Sequence, residues 1–143
     1  MNIKIKRISP DAQLPTYGTK DAAGFDIYSA EDINIQPKEI VRIRSGLIIE
    51  SPPGYFLAIM PRSSTPRKTG LMFPHSIGII DPDYSGPDDE ILIQVYNFTD
   101  QVSQVKKGDR IAQGMFLPIQ QVTWDATENL TKETRGGFGS SGK

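Results

Sequence analysis

The sequence predicts an all-β fold, a barrel or sandwich of many short strands, and three observations carry that expectation. The apolar residues are skewed toward branching at Cβ, with eighteen Ile and five Val against seven Leu. Such side chains suit a pleated surface better than a helical turn. Thirteen glycines and eleven prolines fall between short apolar runs rather than in one block, so they punctuate strands instead of forming a linker. No window of ten or more residues carries the 3.6-residue apolar period of an amphipathic helix, apart from a short turn near Leu71. Many short strands with regular turns belong to barrels and sandwiches.

Taken in order, Ile3-Lys4-Ile5-Lys6, Ile33-Asn34-Ile35 and Ile91-Leu92-Ile93-Gln94-Val95-Tyr96 alternate and read as strands with one buried face. Ile40 to Ile49 and Tyr55 to Met60 flank Ser51-Pro52-Pro53-Gly54, a turn signal between apolar runs that predicts a hairpin. A second hairpin is expected around Asp81 to Gly86. Gly108-Asp109 reads as a turn that opens a strand from Arg110 to Leu117. The chain closes on Arg135-Gly136-Gly137-Phe138-Gly139-Ser140-Ser141-Gly142-Lys143, too poor in apolar surface to order itself. The expected organisation is one domain over residues 1–134 and a flexible arm over 135–143.

At 143 residues and 15.8 kDa the chain has room for one domain. Sixteen Lys and Arg against seventeen Asp and Glu leave a net charge of -1, without a basic field for nucleic acid or an anionic membrane. The absence of Cys and the single His75 exclude thiolate nucleophiles, cysteine-held clusters and multi-histidine metal sites. The longest apolar stretch, Tyr55 to Met60, is far short of the roughly 18 residues that cross a bilayer. The opening MNIKIKRISP lacks the apolar core of a secretory signal. A soluble cytoplasmic protein is therefore expected, whose chemistry rests on carboxylates, hydroxyls, arginines and backbone amides.

Each candidate segment has a bland reading beside the chemical one. Gly78 to Gly86 sets Asp81, Asp83 and Tyr84 at the tip of an apolar run; Asp in a turn usually bonds its own backbone, but here it also offers a general base beside an aromatic wall. In Gly108-Asp109-Arg110-Ile111-Ala112-Gln113 the acid suits the turn, and Arg110 suits an ion pair with a neighbouring acid. Pro61-Arg62-Ser63-Ser64 offers a guanidinium fork and two hydroxyls, the donor set a phosphate wants. Gly137 to Lys143 matches phosphate-loop and dinucleotide patterns, yet no helix follows to receive a phosphate. Arg135 and Phe138 on a glycine string suit a lid over a nucleotide. Asn97-Phe98-Thr99 and Asn129-Leu130-Thr131 match the glycosylation pattern but lack the secretory signal it requires.

In order, these segments resemble the trimeric deoxyuridine triphosphate nucleotidohydrolases, the dUTPases. Ala23-Gly24-Phe25-Asp26-Ile27-Tyr28-Ser29-Ala30 is similar to the first of the family's five motifs and Pro61 to Ser64 to the second. Gly78 to Gly86 matches the third, Gly108 to Gln113 the fourth and Arg135 to Gly142 the fifth. The match runs from Asp21 to Gly142, about 85% of the chain.

The resemblance implies a distorted jelly-roll-like β-barrel, a homotrimer with shared active sites, and hydrolysis of dUTP to dUMP and pyrophosphate. That reaction limits uracil in DNA and supplies dUMP for dTMP synthesis. It implies Asp81 as the base that activates water, and Mg2+ held through water by Asp26. Tyr84 would pack on the deoxyribose and exclude a 2′-hydroxyl, with uracil read largely by backbone from Ser76 to Asp83, including Gly78, Ile80 and Asp83. Arg62, Ser63, Ser64 and Gln113 would meet the phosphates. In the arm, Phe138 would stack on uracil while Arg135 and Ser140 reach the phosphates. No nucleic-acid or membrane partner is implied.

The chain departs from the family at three places. Ser64 stands where Gly is commonest, Pro87-Asp88-Asp89 is an insertion expected to bulge at the surface, and Arg135 lies three residues before Phe138 instead of five. Lys132 is placed to share the role of Arg135. The rival enzyme is dCTP deaminase, whose glutamate base would fall at Gln94, where an amide cannot accept the proton. The rival outside catalysis is a silent nucleotide-binding module on the same fold, which would not need Asp81, Asp26 and the arginines together.

Overall fold

The structure, a computed structural model, describes residues 1–134 and Gly136. In chain order the elements are β1 (Lys4–Arg7), β2 (Thr16–Tyr17), β3 (Phe25–Tyr28), β4 (Ile33–Ile35), β5 (Ile40–Arg44), β6 (Leu47–Glu50) and β7 (Tyr55–Met60). There follow α1 (Thr65–Thr69), β8 (Leu71–Met72), β9 (Gly78–Ile80), β10 (Leu92–Asn97), β11 (Ser103–Val105) and β12 (Arg110–Pro118). The fold is all-β, as the Ile-rich composition predicts, and the one helical turn among the described residues ends just before Leu71. Gly70 at φ +67 caps it, its N–H donating to the Pro66 carbonyl at 3.0 Å. Among the described residues no helix is long and apolar enough to cross a membrane.

Among the described residues all pairings are antiparallel. The sheets run β1-β6, β5-β10-β8, β11-β4 and β2-β3-β12-β7-β9, and among the described residues no ladder joins them into one closed ring. Alternation does what the sequence indicates. On β10, Ile93 and Val95 enter the core with Ile43 of β5, while Leu92, Gln94 and Tyr96 face outward. Ile27, Ile35, Leu47, Ile49 and Leu57 complete the centre of the core; burying each such side chain stabilises the fold by about 1.5–3 kcal/mol.

Both expected hairpins are corrected. The Ser51–Gly54 turn forms, with the Tyr55 N–H donating to the Pro52 carbonyl at 3.1 Å and Gly54 at φ +80. Yet β6 leaves it to pair with β1, and β7 to pair with β12 and β9. Pro52 and Pro53 have no N–H to carry a ladder out of the turn. The run Ile40 to Ile49 is also two strands, because Gly46 at φ +69 turns the chain from one sheet to the next. Glu90 fixes that corner, accepting from the Gly46 N–H at 2.7 Å and from Arg44 Nε at 3.1 Å.

The second turn also exists, with the Tyr84 N–H donating to the Asp81 carbonyl at 3.1 Å, but β9 pairs with β7 while β10 pairs with β5 and β8. The inserted Pro87-Asp88-Asp89 closes on itself, Asp89 Oδ2 accepting from the Gly86 N–H at 2.7 Å. Asn97, within the first glycosylation pattern, is fully buried. Its amide donates to the Ile35 and Gln101 carbonyls at 3.0 and 2.7 Å, and its Oδ1 accepts from the Thr99 N–H at 3.0 Å.

Candidate active site

Strands β3, β12 and β7 lie side by side, and their registers set Asp26 opposite Gln113 and Gln113 opposite Met60. Pro61 and Arg62 follow directly on the end of β7. The motif residues separated in sequence therefore meet at one end of the five-stranded sheet. A Cβ on Gly24 would lie 3.3 Å from the Gly114 carbonyl and 3.5 Å from Gln113 Oε1, so glycine keeps the chain entering β3 tight against β12. Gln113 Nε2 donates to the Pro61 carbonyl at 3.0 Å, which fixes the start of the Arg62 loop and leaves the amide oxygen and one N–H for other use.

Asp26 is the centre of this group. Its side chain is only 12% exposed; Arg62 Nε donates to Oδ1 at 2.8 Å and Arg110 Nη1 to Oδ2 at 3.3 Å. One buried carboxylate thus orients two guanidiniums, and the surplus positive charge suits a polyanion. Ser64 caps the helical turn through its backbone only. Beside the cluster opens a cavity of about 240 Å3 whose lining includes Arg62, Ser64, Lys68 and Arg110. The partner of Arg110 and the presence of Lys68 are what sequence reasoning missed. The ion pair expected for Arg110 forms, with an acid 84 positions away. Asp109 takes its turn role, Oδ2 accepting from the Lys106 N–H at 2.8 Å.

Asp81 belongs to a second group. Ile80 lies opposite Leu57 at the end of the β7–β9 ladder, so Asp81 continues the chain level with Phe56. Asp81 and Asp83, both exposed, line a hollow of about 530 Å3 with Phe56, Ile79, Pro82 and Gln121. Tyr84 is partly exposed, its Oη donating to the Glu90 carbonyl at 3.3 Å. Gly78 and Ile80 are half-buried; a Cβ on Gly78 would sit 3.4 Å from Ile59 Cβ. Phe56, level with Asp81, and Met60, level with Asp26, are four residues apart on β7, so the two groups are offset by ~13 Å along the strand and by three strand spacings, ~14 Å, across the sheet. The expectations for Arg135, Phe138 and Ser140 lie outside the described residues.

Residues 10–142 match the sequence model of the dUTPase family. The deoxyuridine 5′-triphosphate nucleotidohydrolase of Nautilia profundicola is 41% identical over 145 residues, covering all of both chains. That of Lactococcus lactis is 43% identical over 133 residues, covering 90% of this chain and 87% of its own. Among solved structures, the dUTPase from Streptococcus mutans superposes with a TM-score of 0.77 at 33% identity, over 87% of this chain and 100% of that one. A Staphylococcus bacteriophage 80alpha dUTPase with dUPNHPP gives 0.86 at 27%, over 99% and 98%. With the family matched over almost the whole chain and full-length relatives at this identity, the chain belongs to the dUTPase family.

Proposed function

We propose that this chain hydrolyses dUTP to dUMP and pyrophosphate in active sites shared between the copies of a cytoplasmic homotrimer. The observation that carries the reading is the separation of Asp81 from the Asp26–Arg62–Arg110–Gln113 cluster along β7. A triphosphate held by the cluster of one chain cannot meet the carboxylate of the same chain, whereas a neighbouring copy supplies it. Asp81 accepts a proton from a water whose oxygen bonds to the α-phosphorus; the bond from that phosphorus to the αβ-bridging oxygen breaks, and pyrophosphate leaves with the electron pair. Arg62, Ser63, Ser64 and Gln113 hold the phosphates, Arg110 keeps Asp26 and the local charge in place, and Tyr84 packs against the sugar. Domain 1–134 carries these groups, and the arm 135–143, with Phe138, Arg135 and Ser140, closes over the nucleotide.

The residues fit Mg2+ at second remove. Both Asp26 oxygens already accept from an arginine, yet a carboxylate has about four lone-pair sites, which leaves room for a metal-bound water. Among the described residues no group of three or more acids or histidines forms a protein cage for a metal, and Mg2+ commonly takes most of its ligands from water and substrate phosphates. When bound, the ion supplies neutralisation of the phosphate charge.

Pyrophosphate release measured in parallel from dUTP, dCTP, dTTP and UTP, with and without Mg2+, tests the reading. Release from dUTP alone, lost with the metal, is expected. Conversion of dCTP to a uracil nucleotide, or no reaction at all, would overturn it.

A further inference from the structure

Between β9 and β10, the two strands that do not pair, lies a cavity of about 350 Å3, within the size range of small-molecule sites. Ile59, Phe73 and Leu92 give it apolar walls, and one side is the backbone of Gly78–Ile80. That strand is the outer one of its sheet, so among the described residues its far edge has no ladder partner and presents free N–H and C=O groups. The polar side chains of the lining are His75, which stacks on Phe73, and the pair Arg42 and Gln94. The β5–β10 ladder sets Gln94 directly opposite Arg42, on the face turned away from buried Ile43, Ile93 and Val95. Arg44, next along the same face of β5, is held by Glu90; among the described residues the side chains of Arg42 and Gln94 have no such partner.

We propose that Gln94 and Arg42 are base-specificity residues, presenting N–H donors to the 4-keto oxygen of uracil and disfavouring the 4-amino group of cytosine. The inference rests on the reading of the chain as a dUTP hydrolase and names side chains for a base otherwise read by backbone. Apolar walls cannot separate the two pyrimidines, because their rings have the same outline. Arg has five donors and no acceptor, and a glutamine amide directly opposite it on the ladder adds an NH2 to that donor set when its oxygen faces the guanidinium. A keto oxygen satisfies these donors, while an amine opposes donor to donor and leaves them unpaired. Sites built around such hydrogen bonds discriminate far more sharply than apolar pockets.

The test uses the full chain with Gln94→Met, which keeps the side-chain volume, and Arg42→Met as the second variant. Rates with dUTP, dCTP and UTP are measured alongside oligomer mass by light scattering. The preference for dUTP over dCTP, as a ratio of kcat/KM, is expected to fall about tenfold or more in either variant, with the preference for dUTP over UTP unchanged. An unchanged dUTP to dCTP ratio overturns the proposal. So does loss of assembly in both variants, which would make the pair an interface between copies. If the wild-type chain hydrolyses none of the three, the hydrolase reading fails separately, and calorimetry with deoxyuridine and deoxycytidine decides the slot. A uridine preference lost in Gln94→Met supports the proposal; a retained preference, or no binding to the wild type, overturns it.

Discussion

Asp26 and Asp81 are both motif carboxylates, and their surroundings differ. Asp26 is nearly enclosed and spends both oxygens on Arg62 and Arg110, so it orients the two guanidiniums. Asp81 stands exposed at the end of β9, and in the proposed reaction it is the residue that takes the proton from water. Asp81→Asn is therefore expected to bind dUTP with little change while kcat falls about a hundredfold or more; steady-state kinetics with equilibrium binding to the same protein checks this, and wild-type turnover would remove the proposed base. Tyr84→Ala should admit UTP, raising its kcat/KM relative to dUTP. An unchanged ratio would mean that another group excludes the 2′-hydroxyl. Asp81 and Tyr84 were legible from the turn chemistry of Gly78 to Gly86, Asp26 only from the resemblance of Ala23 to Ala30 to a family motif. The tie between Asp26 and Arg110 was not, since 84 positions separate them and only the strand register brings them together.

At the scale of elements, the corners between sheets carry the constraint. Gly46 has φ +69, and a Cβ there would fall 2.7 Å from Ala12 Cβ, closer than packed carbons approach. Gly46→Ala is expected to cost about 2–4 kcal/mol, from a left-handed backbone and from overpacking together. Urea denaturation would show it as a lower midpoint, and an unchanged midpoint would mean that the corner relaxes freely. Strand positions were legible in the sequence: β4 and β12 fall where alternation and the Gly108-Asp109 turn place them, and β1 and β10 are shifted by only one residue. Partners were not. A turn signal between two apolar runs reads as a hairpin, but Pro52 and Pro53 cannot donate to a ladder, and the closed Gly86–Asp89 loop separates β9 from β10. Pairing depends on which sheet each strand's buried face serves, which no local window records.

For the whole molecule, the proposed reading means that one chain holds two partial sites at the two ends of β7. Its surface also exposes Ile40, Leu92, Ile79 and Trp124, the last 88% accessible, apolar area of the kind that copies of a chain cover in one another. The measurement that tests the shared site most directly is complementation between two dead variants, Asp81→Asn and Arg62→Ala, each inactive alone and then unfolded and refolded together in equal amounts. If Asp81 of one copy serves the Arg62 cluster of another, the mixture should regain roughly a quarter of wild-type dUTP turnover, the share of sites in random trimers that draw both intact residues from different subunits. Mixed oligomers that form yet remain inactive would contradict the account, because the two residues would then have to act within a single chain.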